Sequence, residues 1–125
     1  MNDNARKQSV KAYFDGIAAK DMSRVPWAKD ATLRTPLNPA GGESVMIRGR
    51  KAILDFFNSI LPAVRSLELL HYYTGDGGWV AGQAEISLAN GKTLYVLDAF
   101  LIENGEIIEQ QNHYDPRPAT GESQG

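Results

Sequence analysis

The sequence predicts an α+β domain in which helices come first and a long antiparallel sheet follows. Three observations carry this prediction. Apolar residues recur at helical spacing in two segments before residue 62, and four strand-like segments rich in aliphatic and aromatic residues follow. Those segments are separated by Asp76-Gly77-Gly78, Asn90-Gly91 and Asn104-Gly105. Asp-Gly and Asn-Gly between strands are strong hairpin signals because these residues tolerate positive φ.

The first half of the chain contains the helices. Residues 3–20 form a helix whose apolar stripe comprises Val10, Tyr13, Phe14, Ile17 and Ala18. A second short helix is expected around "SRVPW", with Ser23 as its cap, before a strand over "DATLRTP". The segment "LNPAGGESVMIRG" reads as a loop or loose hairpin. A third helix over residues 50–61 ends at Pro62 and presents one apolar face of Ile53, Phe56, Phe57, Ile60 and Leu61.

The second half predicts a four-stranded antiparallel meander. Its strands cover residues 66–74, 79–89, 92–103 and 106–115. With no internal repeat or linker, residues 1–118 are expected to form one domain, and the polar tail 119–125 is expected to be disordered.

Composition excludes several classes of function. The formal net charge of −2 supplies no basic field for nucleic acid, and the absence of cysteine excludes thiolate chemistry. The sequence shows no membrane span, no signal peptide and no metal-ligand spacing, so we expect a cytoplasmic protein that uses no cofactor and no metal.

Four segments carry a resemblance to a known family. They are "AYFDGIAAKD", "AKDATLRTP", "IRGRKAILDFF" and "LDAFLIENGEIIEQQNHYDP", and their order and spacing are more specific than any one of them. Over residues 8–118 the chain resembles the SnoaL-like branch of the nuclear-transport-factor-2-like superfamily, to which ketosteroid isomerase also belongs. The resemblance implies a cone-shaped barrel, with a curved antiparallel sheet wrapped around the helices and an apolar cavity inside. It leaves the chemistry open, because the superfamily hosts isomerases, epoxide hydrolases, cyclases, dehydratases and non-catalytic domains.

Asp98 is the residue on which a functional interpretation depends. It lies in an apolar strand with no Lys or Arg within five residues. Burial without a cationic partner raises the pKa of a carboxyl group, so we expect Asp98 to be a neutral hydrogen-bond donor. In ketosteroid isomerase such an acid acts beside a tyrosine on the substrate oxyanion. The resemblance places Asp98 on that acid and Tyr13 on that tyrosine.

Two positions depart from the catalytic patterns of the family. The isomerase has its general base just before the proline that closes the first strand, where this chain has Thr35. The epoxide hydrolase and SnoaL cyclase branches carry an acid on the last strand, where this chain has Asn112. A threonine hydroxyl cannot abstract a carbon-bound proton at neutral pH, and an amide suits binding better than proton abstraction.

The register of the last hairpin decides which residues join Asp98. A three-residue loop with a bulge places Gln110, Asn112 and Tyr114 on the face of Asp98, whereas a strict two-residue turn brings in Gln111 and His113 instead. We favour the first register because it keeps Tyr114 where the family has an aromatic residue. The second would supply His113 as a possible base.

The predicted pocket is lined mainly by apolar residues. We expect a pocket open near the "LNPAGGES" loop and lined by Tyr13, Phe56, Val96, Asp98 and Phe100, with Trp27 as a further ligand-binding candidate.

Two classes of function fit these residues. The first is an enzyme of isomerase, cyclase or lyase type, in which Asp98 and Tyr13 polarise an oxygen of an apolar metabolite. The second is a protein that binds a small hydrophobic ligand without converting it, and an epoxide-hydrolase-like hydrolase is a further alternative. A homodimer through the convex sheet face is also expected. The other face of the strand that carries Asp98 is largely apolar and needs a cover; its residues are Tyr95, Leu97, Ala99 and Leu101.

Overall fold

The computed structural model describes residues 3–38 and 41–120. The first half contains helix α1, strands β1 and β2, and helix α2, which span Asp3–Ala19, Trp27–Thr35, Val45–Arg48 and Arg50–Ile60. A 3₁₀ turn at Leu61–Ala63 contains Pro62, so α2 ends where the proline predicts. The second half contains strands β3 to β6 and a short helix α3, which span Val64–Thr74, Trp79–Leu88, Thr93–Glu103, Glu106–His113 and Arg117–Thr120.

The six strands form one curved sheet in the order β2-β1-β6-β5-β4-β3. The predicted antiparallel meander from β3 to β6 is confirmed. The sheet is nevertheless mixed, because β1 pairs with β6 in parallel. Both strands start at the same end of the sheet, where the Ile107 amide donates to the Pro26 carbonyl at 2.8 Å. The sheet is also not closed, since β2 and β3 are its two edges.

Irregularities in the strand pairing accompany the curvature of the sheet. The register shifts once between β1 and β6, twice between β3 and β4, and once between β5 and β6. An extra residue in one strand bends it and increases its twist, so such shifts let a sheet wrap around helices. The inner face of the sheet packs against α1 and α2, and the buried core includes Val10, Phe14, Trp27, Ile53, Phe57 and Phe100.

The short helix expected around "SRVPW" does not form. Residues 21–26 make a turn and an extended approach to β1. Ser23 caps no helix; its amide and hydroxyl both donate to Asp21 Oδ1, at 3.0 and 2.6 Å. This side-chain-to-backbone bond two residues along stabilises a turn in competition with a helix.

The predicted disordered tail falls almost entirely outside the described residues. Residues 121–125 are not described, whereas Ala119 and Thr120 are the last two residues of α3. Helix α3 lies against the end of the pocket described next, since Ala119 contributes to its lining.

Candidate functional site

A pocket of about 360 Å³ lies between the two long helices and the inner face of the sheet. Most of its lining is aliphatic or aromatic, and its polar side chains are those of Tyr13, Ser59, Asp98, Asn112 and Tyr114. Among the described residues that line it there is no Lys, Arg or His. Such a site favours an apolar molecule that carries a small number of polar atoms at one end.

The structure brings five of the predicted site residues to this pocket. Tyr13 comes from α1, Val96 and Asp98 from β5, Asn112 from β6, and Tyr114 follows β6 directly. The two β5 residues alternate along one strand face, as the period of two requires. Leu37 opens the "LNPAGGES" loop and also lines the pocket, while residues 39 and 40 of that loop lie outside the described residues.

Other aromatic and polar candidates lie behind the pocket wall. Phe57 lines the pocket in place of Phe56, because one residue along a helix turns the side chain by about 100°. The Phe100 ring is fully buried and packs edge-on against Tyr13, with centroids 5.2 Å apart. The Trp27 ring stacks on Phe57 with centroids 5.4 Å apart. Trp27 and Phe100 shape the wall from behind and do not line the pocket themselves.

Thr35 is also buried and does not line the pocket. Its hydroxyl accepts a hydrogen bond from the Leu37 amide at 3.2 Å and lies 3.4 Å from the Tyr114 hydroxyl. The position that carries a base in ketosteroid isomerase therefore stabilises the start of the loop in this chain. Burial raises the pKa of the neighbouring Tyr114 to about 12, so this phenol stays protonated at neutral pH.

The last hairpin has the face assignment that we favoured but a different turn. Asn104 and Gly105 form a two-residue turn with φ of 52° and 78°, and Glu103 pairs with Glu106. The bulge lies further along β6: Ile102 pairs with Ile107 and Leu101 with Glu109, so Ile108 is the extra residue. Beyond it, Asp98 lies opposite Asn112.

The bulge removes His113 from the pocket. His113 pairs with Leu97 and is exposed on the outer face, which we define as the side of the sheet turned away from the helices. His71 is exposed as well. Neither histidine lines the pocket, so the possible base that a two-residue turn without a bulge would have supplied is not there.

Asp98 is the one carboxyl group in the described lining, and it is only 2% exposed. Burial, which desolvates the charged form, raises its pKa from 3.8 to about 8. Hydrogen bonding with the Tyr13 side chain and the His113 backbone offsets part of this rise in pKa. Asp98 Oδ1 has no hydrogen-bond partner among the described residues. Asp98 is therefore largely protonated at neutral pH, and its Oδ1 atom can form a hydrogen bond with a ligand.

Tyr13 lies next to this carboxyl group. Burial raises the pKa of the Tyr13 hydroxyl well above its usual value, and the negative charges of ionised Asp98 and Tyr114 raise it further. Hydrogen bonding with the side chains of Gln110 and Asn112 lowers it in part. The hydroxyl consequently remains protonated and can donate a hydrogen bond within the apolar pocket.

A buried amide chain lies behind these two residues. The indole nitrogen of Trp27 donates to Gln110 Oε1 at 3.0 Å, and Gln110 Nε2 donates to Asn112 Oδ1 at 2.9 Å. Trp27 and Gln110 are fully buried and lie outside the pocket lining, whereas Asn112 lines it. The sequence placed Gln110 on the correct face but gave no sign of its bond to Trp27, which is 83 residues away.

Two features are absent from the part of the chain that the structure describes. No group of three or more His, Cys, Asp or Glu side chains in ranges 3–38 and 41–120 is placed to hold a metal ion. In the same ranges, none of the helices combines the length and the apolar character that crossing a bilayer requires.

Comparison with solved structures shows the same fold in proteins of low sequence identity. A proposed isomerase from Bacillus subtilis superposes with a TM-score of 0.77 at 17% identity, over 98% of each chain. A proposed polyketide cyclase from Sinorhizobium meliloti gives 0.69 at 24% identity, over 85% of this chain and 94% of the other. An NTF2-like protein of unknown function from Mesorhizobium loti gives 0.75 at 15% identity, over 90% and 92%.

At the level of sequence, the chain matches a family model but no individual curated protein. The family model described as a SnoaL-like domain matches residues 10–110, which include the second part of α1, strands β1 to β5 with Asp98, α2 and the first part of β6. This chain is therefore a member of the SnoaL-like domain family.

Proposed function

We propose that the pocket binds a small, largely apolar molecule through one oxygen atom, and that protonated Asp98 donates a hydrogen bond to this oxygen. The observation that carries the proposal is the buried carboxyl group of Asp98, whose Oδ1 has no partner among the described residues. A buried polar atom without a partner costs about 1–3 kcal/mol, and a ligand oxygen would recover part of this cost.

We further propose that the bound molecule undergoes a proton-transfer reaction of isomerase, cyclase or lyase type. A carboxyl group with a pKa of about 8 holds a proton at neutral pH and can also give it up. With Tyr13 beside it, Asp98 can polarise a carbonyl oxygen and stabilise the negative charge that develops there. The fold is shared with a proposed isomerase and a proposed polyketide cyclase, which makes this class of reaction the first to test.

A non-catalytic binding protein is the second candidate. It is favoured by the absence of another carboxylate, or of any His, Lys or Arg, among the described lining residues. A reaction that removes a proton from carbon needs an acceptor for it, and Asp98 would have to fill that role in its ionised form. The same observation disfavours an epoxide-hydrolase-like reaction, since Asn112 replaces the second acid.

A matched pair of ligands tests whether the pocket binds through an oxygen. The probes are 1-tetralone, a bicyclic ketone, and tetralin, which has the same rings without the carbonyl group. At pH 6.5 we expect the protein to bind 1-tetralone about tenfold more tightly than tetralin, the size of one good hydrogen bond. Asp98→Ala should abolish this preference, whereas Asp98→Asn should keep part of it, because an amide still donates. Equal affinities for the two probes would overturn the binding proposal.

Hydrogen–deuterium exchange at the carbon next to the carbonyl group separates enzyme from binding protein. In D₂O, an enzyme should exchange the protons at C2 of 1-tetralone faster than buffer does, as followed by proton NMR. Asp98→Asn should abolish this acceleration, because its amide cannot transfer a proton. Tight binding of 1-tetralone without accelerated exchange would support the second candidate and reject the first for this probe.

A further inference from the structure

We infer that Trp27 and Gln110, although they do not line the pocket, are positioning residues that turn the N–H groups of Asn112 toward the ligand oxygen and so select ligands that accept hydrogen bonds. This inference rests on the proposed function, because it concerns the same pocket. It names the class of ligand more closely: a ketone or another oxygen without its own proton.

The orientation of the chain follows from the chemistry of its first member. An indole N–H can only donate, so the atom of Gln110 that faces Trp27 at 3.0 Å is the carbonyl oxygen Oε1. The other terminal atom of Gln110 is then the amide nitrogen Nε2, which can only donate. It does so to Asn112 Oδ1 at 2.9 Å. One donor-only group therefore fixes the direction of two amides in succession.

The fixed direction of the two amides determines which polar atom of Asn112 is available in the pocket. Its acceptor, Oδ1, is engaged by Gln110, so its donor, Nδ2, is the polar end that remains. Asn112, Tyr13 and Asp98 all line the pocket, and hydrogen bonding with the Asn112 side chain lowers the pKa of Tyr13. Asp98 lies directly opposite Asn112 across the β5–β6 ladder. Donors from two strands and a helix thus converge at one end of an apolar pocket.

Burial keeps this arrangement in one state. Trp27, Gln110 and Asn112 are 1%, 0% and 6% exposed, so water does not compete for their hydrogen bonds. Turning the Gln110 amide by 180° would set an N–H group against the indole N–H and leave two buried donors facing each other. An alcohol in the pocket would bring a proton that the Asn112 amide cannot accept, whereas a ketone would not.

The test compares 1-tetralone with 1-tetralol, which differ in whether the oxygen carries a proton. We measure both affinities at pH 6, below the pKa of about 8 that burial gives Asp98 in the unmodified protein. The wild-type protein should prefer the ketone about tenfold. The double variant Trp27→Phe/Gln110→Met leaves an aromatic ring at position 27 and replaces the Gln110 amide by an apolar chain of similar length, so it removes the two ends of one hydrogen bond together. It frees the Asn112 amide to turn, so the preference should fall to about equal affinity.

Asn112→Leu supplies the control for this variant. It removes the donor itself, so it should also abolish the preference, and adding Trp27→Phe/Gln110→Met to it should change the preference no further. A folded double variant that keeps the tenfold ketone preference would overturn the inference. So would any further change of the preference when the double variant is added to Asn112→Leu, because the two residues would then act by another route.

A measurement on the unmodified protein covers the case in which the double variant does not fold. Saturating 1-tetralone should shift the side-chain N–H signals of Asn112 in a nitrogen-15 NMR spectrum and leave those of Gln110 nearly in place. Unshifted Asn112 signals with 1-tetralone bound would reject the inference while the proposed function stands. Failure of 1-tetralone to bind at all would instead reject the proposed function.

Discussion

Gly82 faces Asp98 across the β4–β5 ladder, and the ring of Phe14 fills the space that a side chain at Gly82 would need. A Cβ atom at this position would overlap the Phe14 ring and come within 3.2 Å of Val10 Cγ1. The absence of a side chain therefore lets α1 lie directly on the strand next to the buried carboxyl group. This contact holds the helix that carries Tyr13 against the sheet that carries Asp98.

We expect Gly82→Ala to destabilise the protein. The added methyl group must displace a fully buried aromatic ring, and overpacking of this kind costs about 1–3 kcal/mol. Urea denaturation measures the loss, and Phe14→Leu supplies the matched background because it shortens the opposing side chain. In that background the cost of Gly82→Ala should be smaller. Equal costs in both backgrounds would show that Phe14 is not the group that the methyl displaces.

The stability of the protein should depend on pH through Asp98. Burial raises the pKa of this carboxyl from 3.8 to about 8, so the folded state binds a proton that the unfolded state releases between these values. The stability that the protonated group contributes is complete below about pH 4 and is lost as the pH rises toward 8. Relative to Asp98→Asn, the wild-type free energy of unfolding should fall by about 1.4 kcal/mol per pH unit between about pH 5 and pH 7. Parallel pH profiles of the two proteins would contradict the raised pKa.

Removal of the Tyr13 hydroxyl should move the pKa of Asp98 upward. Hydrogen bonding from Tyr13 favours the charged carboxylate and so lowers this pKa. Tyr13→Phe removes that contribution and leaves the ring packing nearly unchanged, so Asp98 should titrate above about 8. Carbon-13 NMR of the Asp98 carboxyl follows the titration directly. Tyr114→Phe is the control and should leave the pKa of Asp98 where it is, and a fall of this pKa in Tyr13→Phe would reject the assigned contact.

A homodimer through the outer face remains a prediction. Tyr95 and Leu97 are 70% and 44% exposed there, and Leu70 and Tyr73 add further exposed apolar area. A patch of this kind on one face of a sheet favours a partner, and a two-fold dimer is the commonest way to cover it. Light scattering at micromolar concentration should give twice the mass of one chain. Leu97→Lys should give the monomer mass, whereas Asn58→Lys, on the exposed side of α2, should not. A monomer mass for the wild-type protein would count against the prediction.

The strands and their order were largely predictable because their signals are local. Asn90-Gly91 and Asn104-Gly105 mark two turns of the meander at which the glycine has positive φ, and the structure has strands on both sides of each turn. The parallel pairing of β1 with β6 was not predictable in this way. Its partners, such as Leu33 and Gln110, are far apart in sequence, and no local period encodes which strand lies beside which.

The candidate site was likewise predictable where its signals are local and not where they depend on the tertiary fold. Asp98, Val96 and Tyr13 followed from alternation on one strand and from the stripe of one helix. The choice between Phe56 and Phe57 depended on the rotation of α2, since both belong to its apolar face. The bond between Trp27 and Gln110 joins two strands that only the tertiary fold brings together. Local patterns thus identify which residues face inward, whereas their partners require the assembled sheet.

The single extra residue in β6, Ile108, decides which side chains of the last strand face the pocket. Because it shifts the ladder by one position, each residue after it lies on the opposite face from the one that a regular ladder of the same length would give it. If the bulge were flattened without a change of length, Glu109, Gln111 and His113 would face the interior in place of Gln110, Asn112 and Tyr114. Deletion of Ile108 would instead keep Asp98 opposite Asn112, because Glu109 would then follow Ile107 directly and keep its partner Leu101. The same residues can thus present either amide donors or an imidazole to the pocket, and the bulge rather than the composition of the strand selects the amides.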